Sequence, residues 1–301
     1  MTLLQLRYAI TVADSRSMNQ AAQKLFISQP SLSAAIRELE DEVGIEIFRR
    51  TNRGIQVTPD GEEFIGYARQ VVEQYALIEA RYVDKEKVKK KFGVSMQHYS
   101  FAVQAFVEMV RRFGMDRYEF SIYETQTYDV IENVKNFRSE LGILYLNDFN
   151  RKVLEKIFEE NNLEFQELFD CQEYVYLWKD HPLAKKEVIS LEDLEDYPFL
   201  SFDQGSNNSF YFAEEVFSTY EYKQSIKAND RATMLNLMRG LNGYTLCSGI
   251  ICEELNGEEY CAVKLSTEET MTIGYLKRKG IPLSSIAKEY LKEIRTYNDQ
   301  A

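Results

Sequence analysis

Cysteine, histidine and proline are scarce in this 301-residue chain, at four, two and five residues. Cys171, Cys247, Cys252 and Cys261 form no CxxC pair and stand far in sequence from His98 and His181. That spacing argues against a zinc site; reduced, buried thiols are expected, with no metal or other cofactor. Five prolines and 14 glycines leave no room for a long low-complexity region. No apolar run approaches the ~18 residues of a membrane span, so no membrane partner is expected. The segment Met1–Gln5 has neither a basic n-region nor a small-residue cleavage site, which predicts a cytoplasmic protein. GxSxG, GxxxxGK[ST] and GxGxxG are also missing, and the acid pairs Glu253-Glu254 and Glu258-Glu259 flank Asn256-Gly257 as a solvated loop would. The reading is therefore a protein that is not an enzyme.

What is present is an ordinary globular composition, 45% hydrophobic and 28% charged, long enough for two or three domains with their own cores. The net charge of −12 conceals a division. Residues 1–91 carry 14 basic and 13 acidic side chains, while residues 92–301 carry 22 and 35. Contact with phosphate depends on local charge, so the balanced first part remains open to nucleic acid.

In that first part Leu3, Leu6, Ile10 and Ala13 recur at helical spacing. Ser17 with Gln20 predicts a capping box for a short second helix with Ala21, Ala22 and Leu25 on its apolar side. Ser28 is the next N-cap, Pro30 fits a first turn, and Leu32, Ile36, Leu39 and Val43 follow before Gly44 ends the helix. Two short helices joined by a tight turn form a helix-turn-helix, the second helix entering the major groove. Ile47-Phe48 and Ile55-Val57 around Asn52-Arg53-Gly54 predict a hairpin, a wing. Its arginines, Arg49, Arg50 and Arg53, fall in a seven-residue stretch without acid. The residues expected to face DNA are Ser17, Ser28, Gln29, Pro30, Ser31, Ser33, Arg37, Arg50 and Arg53, polar or forked groups suited to base edges and phosphates.

From Ser17 to Gly61 the chain resembles the winged helix-turn-helix of LysR-type transcriptional regulators. The resemblance rests on Ala21-Ala22, Leu25, Ser28-Gln29-Pro30-Ser31-Leu32-Ser33, Ile36, Leu39-Glu40, Gly44, Phe48, Arg50, Arg53-Gly54, Thr58 and Gly61. Ala34-Ala35 depart from it, where the family commonly has a basic or amide residue. After Pro59, Phe64, Ala68, Val71, Tyr75, Ile78 and Tyr82 keep spacings of 4, 3, 4, 3 and 4, the seam of a coiled coil. The resemblance makes this the dimerising linker helix. It implies a dimer or tetramer, double-stranded promoter DNA with a partly palindromic site, a small-molecule effector, and RNA polymerase as a further partner. The polar run Asp84–Lys91 is expected to be the hinge.

From Phe92 onward, short β-prone runs alternate with helical ones, predicting an α/β fold with a mainly parallel sheet. His181-Pro182-Leu183-Ala184, Leu191–Leu194, Pro198-Phe199-Leu200 and Gly240–Gly243 are similar to LysR effector domains, and loosely to Gram-positive regulators of sulfur amino-acid metabolism. That implies a two-lobed, periplasmic-binding-protein-like effector domain. The expected division is 1–58 for the winged head, 59–91 for linker helix and hinge, and 92–301 for the effector domain, with lobes 92–161 plus 267–301 and 162–266. Strand ends and helix starts then predict a ligand cleft. Its candidates are Gln97, His98, Tyr99 and Ser100, then Thr125, Gln126 and Thr127, and from the other lobe Phe202, Gln204, Ser206 and Asn229. Ser100, Thr127 and Asp230 are equally good N-caps. A polar, mostly uncharged set suits an amino-acid-like molecule or small carboxylate. A solute-binding sensor with a helical extension that does not touch DNA is the alternative; it leaves the Ser28–Ser33 pattern and the wing arginines unexplained.

Overall fold

The structure is a computed structural model, and it describes residues 1–51, 54–82, 89–113 and 117–298. The chain divides into two compact units, Met1–Lys89 and Lys90–Ala301.

The first unit begins with α1 (Leu3–Ser15), whose N-cap Thr2 forms a capping box with Gln5. Ser17 caps α2 (Met18–Lys24) by accepting the Gln20 N–H. Ser28 caps α3 (Gln29–Val43) by accepting the Ser31 N–H at 3.2 Å, and Pro30 occupies the first turn, where a missing N–H costs nothing. Gly44 ends α3 at φ +72°, a left-handed conformation that favours glycine. Leu32, Ile36 and Leu39 bury one face of α3 against Ala9, Val12, Ala21 and Ala22, each of the larger side chains contributing about 1.5–3 kcal/mol. Strands β1 (Phe48–Thr51) and β2 (Gly54–Val57) pair antiparallel, Phe48 opposite Val57. Glu40 Oε1 fixes this hairpin to α3 by accepting the N–H groups of Ile47 and Phe48 at 2.8 and 2.9 Å.

Thr58 starts α4 (Pro59–Tyr82): its hydroxyl donates to the Glu46 carbonyl and accepts the Gly61 N–H at 2.9 Å. Asp60 and Glu62 lie in the first turn, at the positive end of the helix. Helix α4 has two uses. Phe64, Ile65 and Ala68 pack into the head's own core. Tyr67, Val71, Tyr75 and Ile78 stay exposed and leave an apolar stripe. The predicted seam is thus divided, its first turns covering the head and its later ones exposed, with Arg7 of α1 lying 6.0 Å over the Tyr75 ring. The side chain of Tyr82 lies outside the described residues.

The second unit runs β3 (Lys90–Met96), α5 (Ser100–Phe113), β4 (Tyr118–Glu124), α6 (Thr127–Lys135), β5 (Leu141–Leu146), α7 (Arg151–Glu160) and β6 (Leu163–Gln172). It continues with β7 (Tyr174–Trp178), β8 (Val188–Ile189), β9 (Phe199–Phe202), β10 (Ser225–Ala228), α8 (Arg231–Leu241), β11 (Thr245–Cys247) and α9 (Glu253–Asn256). It closes with β12 (Tyr260–Leu265), β13 (Thr270–Arg278) and α10 (Ser285–Arg295). One sheet has the order β4-β3-β5-β13-β6 and another β11-β7-β12-β8, while β9 and β10 pair separately.

Several expectations change here. The sheets are mixed: β3 runs parallel to β4 and β5, but β13 is antiparallel to both β5 and β6, and β7 is antiparallel to β11 and β12. Strand β6, assigned above to the second lobe, lies in the first lobe's sheet because it bonds along β13. Lys90 and Lys91 open β3 opposite Tyr118 and Glu119; residues 84–88 of the expected hinge lie outside the described residues. Phe210–Phe212 forms a 3₁₀ turn, and bends follow it. No helix among the described residues is long and apolar enough to cross a membrane.

Gly61 has a requirement that the motif alone does not explain. A Cβ there would lie 2.3 Å from the Ile47 carbonyl oxygen, where α4 crosses the start of the wing. Gly61→Ala is expected to destabilise the head by about 1–3 kcal/mol, the usual cost of forced overpacking. Urea unfolding of the variant checks this, and an unchanged midpoint would contradict it.

Candidate functional site

Burying Leu32, Ile36 and Leu39 turns the opposite face of α3 outward. Ser28, Pro30, Ser31, Ala34 and Arg37 are exposed, with Gln29 and Ser33 half-buried. The polar groups are ordered among themselves: Gln29 Nε2 donates to Ser33 Oγ at 2.7 Å, and the Ser28 and Ser31 hydroxyls lie 2.7 Å apart. Ser17 is half-buried at the α2 cap. Arg49 departs from the expectation of an uncompensated wing, because it pairs at 2.8 Å with Glu46, the residue immediately before the acid-free stretch. The Arg50 backbone is in β1 opposite Ile55; its side chain, and all of Arg53, lie outside the described residues.

In the second unit a cavity of about 80 Å³ lies where the β3–α5 turn meets α8 and β11. His98, Tyr99, Ser100 and Phe202 line it, as the sequence suggests. Gln97, Thr127 and Gln204 are buried beside it in a chain of bonds crossing from one lobe to the other. Gln97 Nε2 donates to Thr127 Oγ1 at 2.6 Å, the Thr127 N–H donates to Gln204 Oε1 at 3.0 Å, and Gln204 Nε2 donates to Glu214 Oε1 at 2.9 Å. The other Glu214 oxygen accepts the His98 N–H at 2.9 Å and stands 2.8 Å from His98 Nδ1. The imidazole stacks flat on Phe202, centroids 3.7 Å apart.

Caps and contacts sort differently from the expectation. Ser100 is the first residue of α5 instead of its cap, and the α6 cap is Gln126, which makes no side-chain capping bond. Thr127 uses its hydroxyl on Gln97. The Gln126 amide packs against Gly205, where φ is +56° and a Cβ would come within 2.9 Å of its nitrogen. Thr125 donates to Asp129. Ser206 and Asn229 are exposed and outside the cavity wall. Asp230 does cap α8, accepting the Thr233 N–H at 2.8 Å.

Sequence reasoning missed Tyr176, Arg231, Met234, Met238, Thr245 and Met271 in the wall, as well as Glu214 and Glu215. Arg231 pairs across the cleft with Glu124. Burial, with Glu214 adjacent, holds the Glu215 carboxyl well above the usual carboxylate range. Thr245 Oγ1 is buried without a hydrogen-bond partner. The alternation of α8 is a detectable signal for Met234 and Met238, whereas Glu214 and Arg231 are brought in only by the fold.

A two-lobed α/β unit with a cavity between its lobes, in one chain with a winged helix-turn-helix, defines the class of ligand-responsive DNA-binding regulators. Residues 3–62 match the family described as "Bacterial regulatory helix-turn-helix protein, lysR family", and residues 98–299 match the "LysR substrate binding domain". The chain belongs to the LysR family of DNA-binding transcriptional regulators, whose members bind DNA and small-molecule effectors and form oligomers. Among curated relatives it is similar to the DNA-binding transcriptional dual regulator OxyR of Escherichia coli K12, 23% identical over 99% of this chain and 96% of the relative. It is also similar to the Hca operon transcriptional activator HcaR of the same organism, 29% identical over 83% and 82%. A solved full-length OxyR variant from Pseudomonas aeruginosa shares the fold at TM-score 0.69 and 23% identity, over 98% of this chain and 95% of that one.

Glu173 stands between β6 and β7, where the chain crosses from one sheet to the other. It is 1% exposed, and neither carboxyl oxygen has a hydrogen-bond partner. Burial, then Glu269 on the neighbouring crossing, pushes its pKa from 4.5 to about 8. A raised acid favours the folded state while it is protonated. Its stabilisation is therefore complete below pH ~4.5 and lost as the pH rises through about 8. Between pH 6 and 9 the melting temperature should fall more for the wild type than for Glu173→Gln. Parallel profiles would show that Glu173 does not titrate in this window.

Proposed function

We propose that Gln29, Ser31 and Ser33 read base edges in the major groove while Arg37, Arg50 and Arg53 hold phosphate. The observation that carries this reading is the outward polar face of α3, fixed by its capped N-terminus and buried opposite side. The effector, amino-acid-like or a small carboxylate, binds in the cavity between the lobes and shifts the DNA affinity by favouring one lobe arrangement. The exposed stripe of Tyr67, Val71, Tyr75 and Ile78 on α4 pairs two chains, so that two heads meet a partly palindromic site. The protein works in the cytoplasm as a binding protein and not as an enzyme. Two pairs of charged or titratable groups in its cleft are engaged with one another, His98 with Glu214 and Arg231 with Glu124.

Curated relatives include hydrogen peroxide-inducible genes activators, but thiol chemistry is the weaker reading for this chain. Burial pushes Cys171 and Cys247 up to about 12 and raises Cys261. Thiols protonated to that extent are poor nucleophiles at neutral pH.

Fluorescence anisotropy on the DNA upstream of the protein's own coding sequence tests the interface. Arg50→Ala should lower the salt slope by about one unit on every sequence, and Gln29→Ala should alter the preference at one base pair by about 1–3 kcal/mol. Unchanged slopes and preferences would remove the assignment. Ile78→Asp buries an unpaired charge in the stripe, and light scattering should show the oligomer dissociating.

A further inference from the structure

We propose that Glu214 is a built-in stand-in for the effector carboxylate, and that a small monocarboxylate with an apolar tail acts by displacing it. The proposal rests on the reading that the effector binds between the lobes. In the first lobe, the His98 N–H and Nδ1 converge on one point, the kind of position that sequence reasoning assigned to a ligand carboxylate. Glu214 of the second lobe fills it, at 2.9 and 2.8 Å. Its side chain is 4% exposed, and a buried carboxylate is stable only where donors converge on it. The second donor chain is equally internal. Gln204 bonds the other Glu214 oxygen and, through its own carbonyl, takes the N–H at the start of α6. The protein thus presents to its own helix starts the acceptor groups that a ligand would bring.

The cavity begins at this carboxylate. Glu214, His98 and Phe202 form one part of its wall, and Met234, Met238 and Met271 another. Thr245 Oγ1 lines the same space and is buried without a partner, a hydroxyl left for a polar atom of the ligand. At about 80 Å³ the cavity is small, which restricts the ligand to a compact molecule. Once the carboxylate is counted, a short tail remains. The flexible methionine side chains suit an aliphatic or thioether tail, and Arg231, also in the wall, is already paired with Glu124.

Displacement has a measurable signature. The wild type binds such a ligand only from the fraction of molecules in which Glu214 has withdrawn, and its apparent affinity is reduced by that fraction. Removing the Glu214 carboxylate removes the competitor and leaves its donors open. Calorimetry on the full chain should therefore show Glu214→Ala binding pentanoate at least tenfold more tightly than the wild type. Acetate should raise the melting temperature of Glu214→Ala and leave the wild type unchanged. Glu214→Gln, which keeps the size but loses the charge, should bind pentanoate with intermediate affinity, and it serves if the alanine variant does not fold. Pentanol, with the same tail and no charge, should gain nothing in either variant. Equal pentanoate affinity in the wild type and both variants, or equal gains for pentanol, would overturn the proposal. A compound that shifts the DNA affinity of the wild type and Glu214→Ala alike would also overturn it, while leaving the cleft as the effector site.

Discussion

The chain crosses between the two lobes of the effector unit twice, and the crossings lie side by side. Strand β6 passes into β7 through the single residue Glu173, and β12 into β13 through residues 266–269. The Leu265 N–H donates to the Glu173 carbonyl at 2.9 Å and ties one crossing to the other. Two covalent links fastened together leave the lobes free mainly to hinge about them. The relative position of the lobes is then set by contacts across the cleft: His98 with Glu214, the Thr127 N–H with Gln204, the Tyr145 hydroxyl with the Ala213 carbonyl, and Arg231 with Glu124. These bonds are polar and exchangeable with water or ligand, and aromatic contacts accompany them across the cleft, His98 on Phe202, Phe149 on Tyr211 and Tyr128 against Phe212. Lobes on a paired hinge, held in part by exchangeable bonds, are the physical basis on which a small molecule can act at a distance.

The head was legible because its determinants are local. Ser28, Pro30 and Gly44 mark the ends of α3 by capping chemistry, and Leu32, Ile36 and Leu39 mark its buried face by period alone. The linker helix was half legible. Its heptad spacing identifies an apolar stripe but says nothing of which partner covers it. Phe64 and Ala68 turn to the head, whereas Val71 and Ile78 do not. In the effector unit, the βαβ order locates the cleft turns, since strand ends and helix starts are again local features. The antiparallel course of β13 was not legible, because it returns from the end of the chain to pair between β5 and β6.

The site itself was the least legible part. Glu214 lies ten residues beyond Gln204, and only the 3₁₀ turn at Phe210–Phe212 and the bends after it swing its carboxylate back toward His98. Ser100 and Thr127 show the converse difficulty. A hydroxyl at a helix start satisfies the requirements of a cap and of a ligand contact equally well, and in the fold neither acts as the cap. Residue type restricts what a side chain can do; neighbours distant in sequence decide which of those things it does.

Trp178 is the chain's one indole. Its N–H donates to Asn242 Oδ1 at 2.8 Å, and Asn242 is the left-handed residue that ends α8. The same helix carries Arg231, Met234 and Met238 into the cavity wall. Light absorbed at the red edge of the protein spectrum is therefore emitted from a single place, coupled through one hydrogen bond to the helix that lines the cleft. The molecule contains its own optical reporter of that helix, with no dye and no engineered label.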